Sequence, residues 1–344
     1  MSAPAVSCAT RDQVLERLRE DDRFVLATHE HPDGDALGSL VAMQGLLVGL
    51  GKDAQMFIGP ADLPLPGEYK ALSLEGLIQH VPSDISERTV VFLDCGNIDR
   101  NSASVLRDGR HLLNIDHHHD NTLFGTINHV VPDASCTAEI VWDLMRDLGV
   151  PATPPIADAL YVGLITDTGR FMYENTGPRA HLMAADLIEA GVDVAAVYRR
   201  LYEGVPEGKL ALLARGLAAI QRYDSGELTM ASLSAEDFKG AHAEDSYSEG
   251  IIDQLRTLSG TKVAVLVREL SSGDRKGQHK VSLRATDDDV DVSVIARLQG
   301  GGGHRRAAGF STELPAGELV SFLRGAIASQ LHPSEDATAR AGVA

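Results

Sequence analysis

Cysteine is scarce in this chain of 344 residues: Cys8, Cys95 and Cys136 stand far apart and in no CxxC arrangement. That excludes a disulfide framework and a thiolate cluster, and leaves the three to be read as small buried residues. Positive charge is also short, with 31 Lys and Arg against 49 Asp and Glu, a formal net charge of −18. A long duplex-binding surface is excluded on that ground, because such surfaces gain affinity from basic side chains neutralising phosphates. A small phosphate substrate held by metal ions and a few arginines is not excluded. No apolar run approaches the roughly 18 residues that cross a bilayer, and no basic segment followed by an apolar secretory stretch opens the sequence. A cytoplasmic protein with no membrane partner is expected. Internal repeats and sustained heptads are absent as well.

What is present is ordinary globular material, 44% hydrophobic with mixed charge, and long enough for two domains, at most three. Arg23 to His29 reads as a buried strand, Ala36 to Gly51 as a helix and Asp53 to Ile58 as the next strand, a βαβ unit. Thr89 to Asp94 and His111 to Asp116 are further apolar runs, each finishing on an aspartate, as suits a parallel sheet covered on both faces. Ligands of such sheets bind beyond the carboxyl ends of the strands. Helical patterning follows from Ala134 to Leu148, from Ile156 to Ile165, and from Pro178 to Ile220. Beyond Glu227, the runs LTMASL, KVAVLVREL and HKVSLRA read as strands of a smaller mixed domain, with helices near Ser248 to Leu258 and Val292 to Gln299. The expected organisation is α/β: a parallel-sheet domain over 1–190, a helical connector over 191–226, a smaller α+β domain over 227–332 and a flexible tail over 333–344.

Four clusters carry the chemistry. "THEHPDGDALGS" holds His29, His31, Asp33 and Asp35 in a turn after a strand, where side chains can converge while Gly34 relieves the backbone. By itself a solvated turn, with Asp35 as N-cap of the following helix, explains it equally well. Asp94 closes VVFLD, where a lone aspartate reads more simply as a turn former. Asp116, His117 and His118 open DHHHDN at the end of a strand, and Asp167 lies in ITDTGRF where a helix ends. Together these supply one or two neutral imidazoles and four or five carboxylates, enough for two divalent cations with no cysteine taking part. Such a set suits Mn²⁺, with Mg²⁺ as the alternative. Two cations about 3.5 to 4 Å apart activate water and clamp a phosphoryl group, so the implied reaction is phosphoester hydrolysis.

The smaller domain adds QGGGGHRRAAGF, Gln299 to Phe310. Its glycines, Gly302 and Gly303 among them, expose backbone amides to an anion, and His304, Arg305 and Arg306 bring donors or charge. A loop leading into a small-residue helix is the plainer alternative, and this is not the GxxxxGK[ST] nucleotide loop. Arg284 in VSLRA is a second phosphate-clamp candidate, or an ordinary exposed strand arginine.

In this order, HEHPDGDALGS, DCGN, DHHHDN, DTGRF and GGGGHRRAAG resemble the motifs of the DHH/DHHA1 phosphoesterases over nearly the whole chain. The layout is most similar to the stand-alone nanoRNase and pAp phosphatase branch. That resemblance implies an active site in the cleft between two domains, and hydrolysis of short oligoribonucleotides, 3′-phosphoadenosine 5′-phosphate or cyclic and linear dinucleotides such as c-di-AMP and pApA. It implies one manganese on His29, Asp33 and Asp94 and another on Asp35, Asp94, His117 and Asp167, with Asp94 bridging. His118 would face the scissile phosphate and Asp116 would orient the imidazoles. Arg284, His304 and the amides of Gly302 and Gly303 would bind the other end of the nucleotide. Arg100 would touch substrate or pair with a nearby acid. His31 and His119 stand where many relatives have asparagine and proline, so neither is carried over as a ligand. A homodimer is compatible with the sequence. Two other readings remain: a pyrophosphatase or exopolyphosphatase sharing the metal half, and a non-catalytic nucleotide sensor.

Overall fold

The computed structural model describes residues 11–101, 103–270 and 277–331. The reading of Cys8 and that of the tail over 333–344 lie outside the described residues. The chain divides into two compact units between Gly204 and Val205.

The first unit runs α1 (Arg11–Glu20), β1 (Arg23–Ala27), α2 (Gly34–Gly49), β2 (Asp53–Phe57), β3 (Leu77–Ile78), β4 (Thr89–Leu93), β5 (His111–Asp116) and β6 (Ile127–Val130). It continues with α3 (Thr137–Leu148), α4 (Pro154–Asp167), α5 (Pro178–Glu189) and α6 (Val194–Tyr202). Its sheet is ordered β3-β2-β1-β4-β5-β6, and every pairing is parallel. Strand order reverses between β1 and β4, which opens a crevice beyond their carboxyl ends. Because side chains alternate along a strand, Leu26, Leu93 and Ile115 pack under the helices on one face. Val25, Val90 and Phe92 pack on the other under Ile85 and Leu106, which come from 3-10 turns. Both faces are covered, as expected, but helices cover only one.

The second unit runs α7 (Glu207–Ala218), β7 (Gln221–Tyr223), β8 (Leu228–Leu233), α8 (Ala235–Gly240), α9 (Ile251–Arg256), β9 (Val263–Glu269) and β10 (His279–Ala285). Then come α10 (Val292–Arg297), β11 (Gly302–His304), β12 (Ala307–Thr312) and α11 (Ala316–Leu331). The sheet order is β11-β12-β10-β9-β8-β7, with β8 and β9 parallel and the other pairs antiparallel. Val265, Val281 and Phe310 pack with Ile295 of α10 and Leu323 of α11. Ala231 and Leu266 face Leu212 of α7, Phe238 of α8 and Ile252 of α9.

Several expectations need correction. The helical stretch over 178–220 is three helices, and no separate connector exists over 191–226: Val197 of α6 joins the first unit's core and Leu212 of α7 the second's. Helix α2 starts at Gly34 because Asp33, not Asp35, is its N-cap. The glycine-rich stretch is a β-hairpin, with Gly302 opposite Gly309 and Gly303 opposite Ala308, and no helix follows it directly. Among the described residues, no helix is long and apolar enough to cross a membrane.

Candidate metal centre

The crevice at the carboxyl end of the parallel sheet collects the sequence clusters. His29 and Asp33 follow β1, Asp94 follows β4, Asp116 ends β5 with His117 and His118 behind it, and Asp167 ends α4. One donor atom each of His29, Asp33 and Asp94 lie within 4.8 Å of one another, and so do those of Asp35, His117 and Asp167. Asp94 stands between the two groups. Its Oδ2 is 3.6 Å from His29 Nε2, and its Oδ1 is 3.6 Å from His117 Nε2. His117 Nε2 is also 3.6 Å from Asp167 Oδ2. Asp94 adopts a left-handed φ of 55°, uncommon for a residue with a Cβ although aspartate tolerates it better than most, and such conformations concentrate at functional sites.

Local chemistry aims each side chain. The Nδ1–H of His29 donates to the Glu30 carbonyl at 2.8 Å, which leaves Nε2 free towards Asp94. Asp33 Oδ1 accepts from the amides of Asp35 and Ala36, capping α2 and leaving its second oxygen uncommitted. Asp35 is in the first turn of α2, and its carboxylate accepts from the amides of Thr137 at 2.7 Å and Ala138 at 2.9 Å. Asp35 thus does not cap α2 as expected; its carboxylate meets the first two amides of α3 instead. Close packing of α2 on α4 brings Asp35 near Asp167. A Cβ at Gly38 would lie 2.3 Å from the Ala159 carbonyl, and one at Gly163 would lie 2.9 Å from Asp35 Oδ1.

Asp116 and His118 form a third donor grouping with Asp94 and His117, but they are engaged with each other. His118 Nδ1 and Asp116 Oδ1 are 2.7 Å apart, while the other Asp116 oxygen accepts from Asn121. That arrangement presents His118 Nε2 outward and gives Asp116 an orienting role.

The charge balance is consistent with a divalent cation. Among the described residues no Lys or Arg pairs with Asp33, Asp35, Asp94 or Asp167, although Asp35 is 1% and Asp94 2% exposed. Buried carboxylates without counter-charge are expensive. Burial, reinforced by the charges of Asp94 and Asp33, pushes the Asp35 carboxyl well above the ordinary range. Burial and then the charge of Asp35 push Asp167 up to about 8. For Asp94 burial acts upward too, but the His29 hydrogen bond and the His118 and His117 imidazoles outweigh it and hold the group low. The hydrogen bond to Asp116 raises His118 to about 9. Six donors, acid-rich and short of positive charge, are what an oxygen-preferring divalent ion requires.

Other expected residues fall differently. His31 takes a left-handed φ of 55°, a conformation that histidine tolerates better than most residues. Its ring is 87% exposed beside Asp62 and joins neither donor group. His119 is exposed. Asp99, the acid nearest in sequence to Arg100, pairs with Arg107; among the described residues no carboxylate pairs with Arg100, whose charge acts on His118. In the second unit, Arg284 lines a cavity of about 320 Å³ with Arg268, Ser282, Ser248, Glu249 and Asp253. Gly302, Gly303 and His304 form the exposed edge strand β11. Arg305 and Arg306 are both tied to Asp288, not free for an anion. Sequence reasoning missed Thr137, whose hydroxyl donates to Asp94 Oδ1 at 3.2 Å, and Asn175, which donates to Asp167. Neither carries a signal beyond its place near a helix end.

Comparison with known proteins identifies the family and the fold. The N-terminal domain of the DHH family matches residues 23–164 and the DHHA1 domain matches residues 231–329. The chain is 34% identical over 288 residues to the bifunctional oligoribonuclease and PAP phosphatase NrnA of Thermus thermophilus, covering 83% of this chain and 82% of the relative. It is 27% identical over 337 residues to the cyclic-di-AMP phosphodiesterase GdpP of Geobacillus thermodenitrificans, covering 91% of this chain and 48% of the relative. The crystal structure of an exopolyphosphatase-related protein from Bacteroides fragilis superposes with a TM-score of 0.82 at 22% identity, over 93% of this chain and 96% of that one, and has the same fold.

Proposed function

The chain belongs to the DHH/DHHA1 phosphoesterases, hydrolases acting on phosphoester bonds, and from that premise we propose that it is a Mn²⁺-dependent phosphodiesterase and phosphatase of small nucleotides. Its substrates are short oligoribonucleotides and 3′-phosphoadenosine 5′-phosphate, with cyclic or linear dinucleotides as a further class. The names of the Thermus and Geobacillus relatives support those substrates. One observation carries the metal reading: Asp94 turns one oxygen to the His29 side and the other to the His117 side, the arrangement of a bridging ligand.

In this reading His29, Asp33 and Asp94 would hold one ion, and Asp35, Asp94, His117 and Asp167 would hold the other. Divalent ions bound there would supply an acidified water as nucleophile and positive charge to neutralise the phosphoryl group. The residues do the remainder. Asp116 fixes the ring of His118, whose outward Nε2 donates to the phosphoryl oxygens or the leaving group. Arg100, unpaired by any carboxylate among the described residues, adds a second donor for phosphate. In the second unit, Arg284, His304 and the β11 amides are the residues that contact nucleotide in this reading.

The test is incubation with Mn²⁺ and, separately, 3′-phosphoadenosine 5′-phosphate, a diadenylate, cyclic di-AMP and pyrophosphate, with products resolved by chromatography. Nucleoside monophosphate from at least one of the first three is expected. Release from pyrophosphate alone would overturn the nucleotide reading in favour of a pyrophosphatase, and no turnover of any substrate would favour a sensor.

A further inference from the structure

We propose that the turn entering α3 is the positioning element of the metal centre, acting through Thr137 and Asn175, neither of which is itself a ligand. The proposal rests on the two-ion reading above and extends it to residues beyond the donor set.

Thr137 is wholly buried and reaches two of the donor carboxylates at once. Its amide donates to Asp35 Oδ2 at 2.7 Å, with the next amide, of Ala138, on Asp35 Oδ1 at 2.9 Å. Its hydroxyl donates to Asp94 Oδ1 at 3.2 Å, and that is the Asp94 oxygen facing His117. Two amides on two oxygens fix the plane of the Asp35 carboxylate; Oδ1 also accepts from the Ser39 hydroxyl at 3.4 Å, while Oδ2 keeps a lone pair available. The hydroxyl does for Asp94 what the amides do for Asp35. Since Asp35 belongs to α2 and Asp94 follows β4, the start of α3 ties together groups delivered by separate elements.

The turn is itself held. Glu139 accepts from the Ser135 amide at 3.0 Å and the Ser135 hydroxyl at 2.6 Å, and Arg179 of α5 donates to the other Glu139 oxygen at 2.8 Å. The Ser135 carbonyl accepts from Asn175 Nδ2 at 2.7 Å. That same amide nitrogen lies 3.3 Å from Asp167 Oδ2. Asp35 and Asp94 are thus held by the turn directly, and Asp167 is joined to it through Asn175, whose two amide hydrogens are shared among the Ser135 carbonyl, the Asp167 carbonyl at 3.2 Å and Asp167 Oδ2. Outer partners of metal ligands typically govern metal affinity by about 10- to 100-fold.

The experiment titrates Mn²⁺ into the metal-free full chain by calorimetry, for wild type, Thr137→Val, Thr137→Ser and Asn175→Ala, with thermal unfolding in EDTA as the folding control. Expected are near wild-type unfolding in EDTA for all four, about 10-fold weaker Mn²⁺ binding for Thr137→Val, a smaller loss for Asn175→Ala, and recovery in Thr137→Ser, which restores the hydroxyl. Wild-type affinity in Thr137→Val would overturn the proposal, as would a folded Thr137→Ser that binds as poorly as the valine variant. Should the valine variant not fold, Asn175→Ala decides: unchanged affinity there overturns it. The readout is binding and not turnover, so a failure of the substrate assignment leaves this result standing, whereas a wild type that takes up no Mn²⁺ sinks both.

Discussion

The metal crevice of the first unit and the surface of the second treat charge in opposite ways. In the first, four aspartates converge beyond the parallel sheet, and among the described residues no lysine or arginine pairs with any of them. In the second, acid and base are matched on the surface: Lys262 with Asp287 and Asp289, Arg305 and Arg306 with Asp288, Arg324 with Asp224. Arg284 departs from that pattern, as do Arg222 and Arg268: among the described residues no carboxylate pairs with it, and its Nη1 donates to the neighbouring Leu283 carbonyl. Charges answered within the chain hold the fold, and charges left unanswered mark where something else binds.

Removing the shared carboxylate would break the first half of that comparison most severely. In the two-ion reading Asp94→Ala deprives both ions of a ligand, and Mn²⁺-dependent hydrolysis is expected to fall by about 10³-fold or more, the kinetic equivalent of the several kcal/mol such ions supply. Steady-state rates at saturating Mn²⁺ measure this, and a loss smaller than about tenfold would contradict a bridging role.

Stability should register the same deficit. Each ion bound only by the folded state adds about 2.7 kcal/mol at a concentration 100 times its Kd. Thermal unfolding of wild type is therefore expected several degrees higher in Mn²⁺ than in EDTA, with most of the difference gone in Asp94→Ala. Equal midpoints in wild type with and without Mn²⁺ would mean that the acids are not a metal centre.

The second half is sharpened by Arg284→Ala. An arginine without a carboxylate partner is available to a phosphate, and a charge-assisted hydrogen bond contributes about 1.5 to 3 kcal/mol. KM for a dinucleotide should rise about 10- to 100-fold with kcat little changed. A fall in kcat with KM unchanged would place Arg284 outside substrate binding.

How much of this was legible follows the same division. The strand-terminal acids could be read because a parallel sheet needs continuous apolar runs, and β4 and β5 end within a residue of Asp94 and Asp116. The helix cap was misplaced on Asp35, since Asp33, two residues earlier, satisfies the same local requirement. What decides it is α3, whose amides engage Asp35 from 102 and 103 residues away. Thr137 was invisible for the same reason, because a threonine at a helix start has a local explanation already. The glycine hairpin was misjudged because glycine runs carry little periodicity; its identity as β11 and β12 comes from the edge of β10 with which β12 pairs. Expected elements also ran together between Pro178 and Ile220, where continuous helical patterning conceals both the breaks and the boundary at Gly204.

The smallest effect is the most direct check on the comparison as a whole. Arg305 lies in the glycine-rich stretch, two residues after Gly303, where sequence suggests a phosphate contact. The structure instead places its Nη2 on the Asp288 carbonyl at 2.7 Å and its Nε 3.7 Å from the Asp288 carboxylate, with the side chain 58% exposed. An exposed pair of this kind contributes roughly 0 to 1 kcal/mol. Arg305→Ala is therefore expected to change the unfolding midpoint marginally and to leave KM within about twofold of wild type, set against the 10- to 100-fold rise for Arg284→Ala. Measured together on the same dinucleotide, the two variants separate an arginine answered by its own chain from one that is not. Equal rises in KM would show that pairing with Asp288 does not withhold Arg305 from substrate, and the distinction drawn between the two arginines would fall.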